Sequence, residues 1–155
     1  MDLTKLLEKI PDLVRGAAAR RERTKQARHK LEQIREDLQS CAAMYVRGTQ
    51  SGVVNFTMLP TDSLPLLLEL HREGFISDDG VRAVRAFMEP AVEANASLTR
   101  RPAFGPPGFA GASYVRHLSI GRSHVEDRDS SGTTPYERSM AAIAESLTDL
   151  DKRIF

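Results

Sequence analysis

Cysteine is nearly missing from this 155-residue chain: Cys41 stands alone. One cysteine excludes an internal disulfide and any cysteine-rich zinc cluster, and it makes a reducing, cytoplasmic setting the expected one. Tryptophan is absent and aromatic residues make up only 6% of the chain, and the basic segment described below has none interleaved for stacking bases. Long apolar runs are lacking too. The strongest, Leu64 to Leu70, is far short of the ~20 residues a membrane helix needs. The first ten residues, MDLTKLLEKI, mix charges with leucines ahead of Pro11, which leaves no room for a signal-peptide core. What remains is the composition of an ordinary globular protein, 41% hydrophobic and 28% charged, long enough for one domain with a real core.

The net charge of +1 hides a division. Arg15, Arg20, Arg21, Arg23, Lys25, Arg28 and Lys30 face a single acid, Glu22, giving this segment +6; the other 15 bases and 20 acids give the remainder −5. A basic segment is therefore joined to a mildly acidic body. Seven bases over so short a span suit an acidic protein surface or a run of phosphates, and binding of either kind is salt dependent.

The same segment lies inside the best helix signal in the chain. Leu31, Ile34, Leu38, Cys41 and Tyr45 recur at steps of three and four, and from Ala17 to Arg47 there is neither glycine nor proline. The expectation is one helix over 17–48, closed by Gly48, with a short helix at 2–10 and a second starting at Pro11. A 31-residue helix is about 46 Å long, whereas a compact chain of this size is only about 40 Å across. Such a rod protrudes, and the apolar stripe Leu31, Ile34, Leu38, Cys41, Tyr45 is expected to be covered by another subunit. Continued backwards, the register passes Ala27, Thr24, Arg20, Ala17, Leu13, Ile10, Leu6 and Leu3, apolar at both ends and polar in the middle.

Beyond Gly48 the sequence predicts a helical body with a small two-stranded β element. Residues 49–98 hold a buried strand at about 53–59, or a loop tucked under the long helix, followed by an αα-hairpin. That hairpin comprises a helix from Leu64 to Arg72, the stop at Gly74, and a second helix from about Asp79 to Ala96, kinked at Pro90. Asp78 and Asp79 at the start of its second helix have the wrong sign for phosphates, so it reads as packing, not as a DNA-reading helix-turn-helix. Residues 99–113, rich in proline and glycine, form a connector, and 114–155 a strand at about 114–120 followed by a C-terminal helix. The helix opens with the capping box Thr134, Pro135, Tyr136, Glu137.

Three groups have chemical potential. Arg23 and His29 form an R-x5-H pair, which resembles the ribonuclease motif of HEPN-type helical nucleases; the resemblance covers two residues and implies that Arg23 would hold a phosphate while His29 moved a proton. Six residues along a helix turn through about 600°, so the two side chains point apart. His117, His124, Glu126, Asp127 and Asp129 have the donor types of a metal or hydrolytic site without a spacing that fixes one. Cys41, on the apolar stripe with no histidine nearby in sequence, reads as a core residue.

The sequence therefore predicts a mainly α protein, non-enzymatic and without cofactor or metal, that self-associates or docks on an acidic partner through its long helix. The alternative is a nucleic-acid-binding accessory protein that uses Arg20, Arg21, Arg23, Lys25, Arg28 and Lys30. No membrane partner is expected.

Overall fold

A computed structural model describes residues 3–50, 56–100 and 109–154. Five helices account for most of them: α1 (Leu3–Gln50), α2 (Leu64–Arg72), α3 (Asp78–Thr99), α4 (Phe109–Glu126) and α5 (Pro135–Ile154). The C-terminal half of α1 joins α3, α4 and α5 in a four-helix arrangement. Around the bundle the order is α1, α4, α3, α5, with α1 opposite α3, and short α2 lies against both α1 and α3.

No strand occurs among the described residues, so the predicted β element is corrected at both ends. Tyr114 to Ile120 lies within α4. The helical stripe there is Tyr114, Leu118, Gly121 and Val125, and its third member is a glycine that a count of apolar residues passes over. A methyl group at Gly121 would collide with the Tyr45 ring, and one at Gly48 would sit 2.6 Å from Leu118 Cδ1. Two glycines on facing helices thus each receive a large side chain from the other, which lets α1 and α4 approach closely. Gly48 is consequently not the predicted stop, and α1 runs past it to Gln50.

Of the other predicted strand, 53–55 lie outside the described residues and 56–59 form an irregular stretch, as in the tucked-loop alternative. Side chains satisfy its backbone where a partner strand would have done so. Asn95 accepts from the Leu59 amide at 2.7 Å and donates to the Leu59 carbonyl at 2.9 Å. Tyr114 donates to the Thr57 carbonyl at 2.6 Å, and the Cys41 thiol to the Pro60 carbonyl at 3.3 Å. Leu59 is buried as a result.

Tyr45 reaches across the bundle to α3. Its hydroxyl donates to the Phe87 carbonyl at 3.0 Å and accepts from the Ala91 amide at 2.9 Å. Those two groups are the i, i+4 pair that an uninterrupted helix joins directly, so the hydroxyl is inserted in the backbone ladder beside Pro90. Helix α3 continues through that position to Thr99. The rings of Tyr45, Phe87 and Tyr136 contact one another in sequence, edge-to-face at a centroid separation of 5.4 Å and then tilted at 5.2 Å.

The α2–α3 turn is a Schellman motif. Gly74 takes φ +77°, its amide bonds the His71 carbonyl, and the Phe75 amide bonds that of Leu70. Ser77 caps α3 by accepting from the Gly80 amide, and Asp78 is paired with His71. From the far end of α5, Arg153 lies over the Phe75 ring and donates to the Gly74 carbonyl. The hairpin is thereby held as a packing unit of the bundle. Thr134 accepts from the Glu137 amide at 3.1 Å, the half of the capping box that starts α5. Of the 99–113 connector, 101–108 lie outside the described residues, and α4 begins at Phe109.

Candidate interaction surface

The candidate interaction surface lies on α1. Its 48 residues make one unbroken helix, about 72 Å long, where two shorter helices were predicted before residue 17. Pro11 and Gly16 both lie inside it. In a solvent-exposed turn water satisfies the carbonyl that proline leaves unbonded, so the helix bears Pro11 at a cost of about 3 kcal/mol. The first buried residue of α1 is Ala27. Residues 3–26 therefore project from the bundle as an arm of about 36 Å.

The stripe expected to contact another subunit is covered by this chain itself. Leu31, Ile34, Leu38, Cys41 and Tyr45 are all 0–1% exposed and belong to the bundle core. Burial, reinforced by Asp37, pushes the Cys41 thiol up to about 12, so it is an inert thiol at neutral pH. The apolar surface left open is on the arm: Leu3, Leu6, Leu7, Ile10, Leu13 and Val14 are between 43% and 76% exposed. At 100° per residue they share a stripe about 120° wide, centred roughly 90° around the helix from the body-facing stripe. A seven-residue register on a straight helix drifts in this way, so the arm presents its apolar face to a different side from the bundle.

The structure also divides the predicted basic set. Arg28 is paired with Asp151 of α5, and Lys30 with Glu69 of α2 at 3.0 Å. These two bases tie α1 to its own body. Arg20, Arg21, Arg23 and Lys25 stand exposed on the arm with Arg15 and make no ion pair among the described residues, although Arg20 donates to the Gly16 carbonyl. Their spacing distributes them around the whole circumference of the helix, a cationic collar between the apolar stripe and the bundle.

The other candidate groups are not assembled into a site. Arg23 and His29 are exposed on one straight helix, about 600° apart in rotation. His117 and His124 are both on α4, and no group of three or more His, Cys, Asp or Glu side chains among the described residues is placed to hold a metal ion. Asp129 is instead a loop-builder, accepting from the Ser131 amide and hydroxyl and from the Thr133 amide while paired with Arg138. Those hydrogen bonds, led by the Ser131 hydroxyl, hold its carboxyl below the usual range. His124 Nδ1 is buried with no hydrogen-bond partner among the described residues, and desolvation lowers its pKa.

Two concavities flank α2. Between α2 and α3 is an apolar groove of about 480 Å³ that includes Leu64, Pro65, Leu68 and Val92, with Leu68 and Val92 each about 40% exposed. Toward α1 a second hollow, of about 340 Å³, collects Glu36, Asp37 and Asp62. Sequence reasoning missed both because each is assembled from separate helices. No helix among the described residues is long and apolar enough to cross a membrane.

The chain matches no protein family, no curated protein and no solved structure.

Proposed function

We propose that this protein is a non-enzymatic assembly subunit whose docking element is the arm, residues 3–26 of α1. The observation that carries this reading is the exposure of the six-residue stripe Leu3, Leu6, Leu7, Ile10, Leu13 and Val14. It offers on the order of 600 Å² of apolar surface, at the top of the range of about 300–600 Å² for the largest patch on a monomer. Covering it is worth up to about 15 kcal/mol at about 25 cal/mol per Å², the same order as the ~4–15 kcal/mol cost of association. The gain offsets that cost only if most of the stripe is covered. Its breadth favours a groove or a pair of helices over the narrow seam of a two-stranded coiled coil.

The test is the mass of the native particle purified from its own cells, for the wild-type chain and for Leu7→Glu/Leu13→Glu. The reading expects a particle larger than one chain that falls to the monomer mass in the variant. A monomer in both cases contradicts it.

A second reading, nucleic-acid binding, is favoured by the collar of Arg15, Arg20, Arg21, Arg23 and Lys25, which makes no ion pair among the described residues. A gel shift with duplex and single-stranded nucleic acid at two salt concentrations tests it. Binding that weakens steeply with salt and with Arg20→Ala/Arg21→Ala/Arg23→Ala supports it, and no shift at low salt removes it.

A further inference from the structure

We infer that the arm docks in the α2–α3 groove of a second copy of this chain. The inference rests on the reading of the arm as the docking element and adds the identity of its receptor.

The arm is a two-part ligand: an apolar stripe from Leu3 to Val14, then a basic collar from Arg15 to Lys25. The body carries a two-part receptor in the same order around the N-terminal half of α2. On one side lies the mainly apolar groove of Leu64, Pro65, Leu68 and Val92, with Arg85 and Glu89 on its α3 wall, and on the other the hollow with Glu36, Asp37 and Asp62. A helix laid across this end of α2 seats its leucines in the groove and sets its arginines beside the carboxylates. The collar brings five bases against the single acid Glu22, a net +4, to a hollow that holds three carboxylates.

The receptor has to belong to another copy. Helix α1 is continuous from Leu3 to Gln50, and its second half is fixed in the bundle, so the arm cannot fold back onto its own groove. The groove residues Leu68 and Val92 are exposed in the chain as it stands, as is the arm stripe. One association covers both apolar surfaces, which gives each a reason to remain open in the monomer.

The experiment uses the purified full-length chain, followed by sedimentation across a protein concentration series. Three forms are compared: wild type, an arm variant (Leu7→Glu/Leu13→Glu) and a groove variant (Leu68→Glu/Val92→Glu). Circular dichroism and the unfolding midpoint of each, taken at a concentration where wild type is monomeric, confirm that the bundle is intact. If the groove double variant fails to fold, Val92→Lys alone, at an exposed position, takes its place.

The expected result is self-association of wild type, weakened roughly tenfold or more in either variant. Mixing the two variants then restores a heterodimer, because one copy still has an arm and the other a groove. Glu36→Lys/Asp62→Lys weakens the wild-type association, and added salt does the same. A groove variant that associates as well as wild type overturns the proposal in favour of arm-to-arm pairing, and so does a mixture that restores nothing. A wild-type chain that stays monomeric throughout also overturns it. In that case the broader reading is judged separately by the native particle: a large particle from cells together with a monomeric pure chain means a different partner.

Discussion

The two halves of α1 share one helix and one three-and-four register, yet one half is core and the other is surface. Residues 27–50 bury Leu31, Ile34, Leu38, Cys41 and Tyr45 to 0–1% exposure, while residues 3–26 leave Leu3, Leu7, Leu13 and Val14 more than 60% exposed. The same sequence pattern thus states only that a face needs covering. Which molecule covers it depends on how far the chain's other helices reach along the rod, and they stop at Ala27.

The comparison is broken most forcefully by cutting the same side chain in each half. Leu38→Ala opens a cavity in the bundle and is expected to cost about 2–5 kcal/mol, whereas Leu7→Ala on the arm should change monomer stability by no more than about 0.5 kcal/mol. Urea unfolding of both variants at low protein concentration measures the difference. Equal effects would mean that the arm is packed in the monomer.

Glycine sharpens the contrast. Replacing a helical glycine with alanine ordinarily stabilises a helix by about 1 kcal/mol. At Gly121 the new methyl group meets the Tyr45 ring, so Gly121→Ala should destabilise by about 1–3 kcal/mol in spite of that propensity. At Gly16 the nearest heavy atom is the end of the Arg20 side chain at 3.9 Å, so Gly16→Ala should raise the helicity of the arm without moving the midpoint of the bundle. Circular dichroism together with thermal unfolding separates the two outcomes.

Tyr45→Phe keeps the ring and removes the hydroxyl inserted between Phe87 and Ala91. Because those two backbone groups can turn back to each other, the expected loss is modest, about 1 kcal/mol by denaturant titration.

The smallest effect expected is a pH dependence confined to the bundle. His124 is held below the ordinary imidazole value of 6.5, first by desolvation and also by Arg138, with Glu89 opposing. Its folded pKa is depressed, so the unfolded chain binds the proton more readily. The stability it contributes is complete above about pH 6.5 and is lost as pH falls through the lower, folded value. His124→Gln should flatten that part of the stability profile, and an unchanged slope would refute the assignment.

The helical architecture was legible because α2, α3, α5 and the second half of α1 place leucines, valines and isoleucines at helical spacing, with a capping box at Thr134. Helix α4 was not legible, because its buried stripe includes Gly121, whose contribution is the space it leaves for Tyr45. The irregular 56–59 stretch read as a strand because its residues are apolar and β-prone. The backbone partners that settle its structure come from Asn95, Tyr114 and Cys41, far away in sequence. Of the candidate surface, the rod from Ala17 onward and its basic segment could be read directly, whereas Pro11 and Gly16 suggested breaks where α1 is continuous. The assignment of Leu31 to Tyr45 to an intermolecular face could not be checked by periodicity, which is the same for a stripe covered from within and one covered from outside. The division of the basic set likewise depends on Asp151 and Glu69, which only folding brings to Arg28 and Lys30.

Amide hydrogen exchange along α1, followed through a dilution series, addresses the difference between its halves most directly. An exposed helical segment without tertiary packing and with Pro11 and Gly16 inside it opens readily, so residues 3–26 should exchange fast in the dilute monomer and gain protection as the protein assembles. Residues 27–50 should remain protected at every concentration. Protection of the arm that equals that of the bundle half in the dilute monomer, or an arm that stays fast in the assembled particle, would contradict the account.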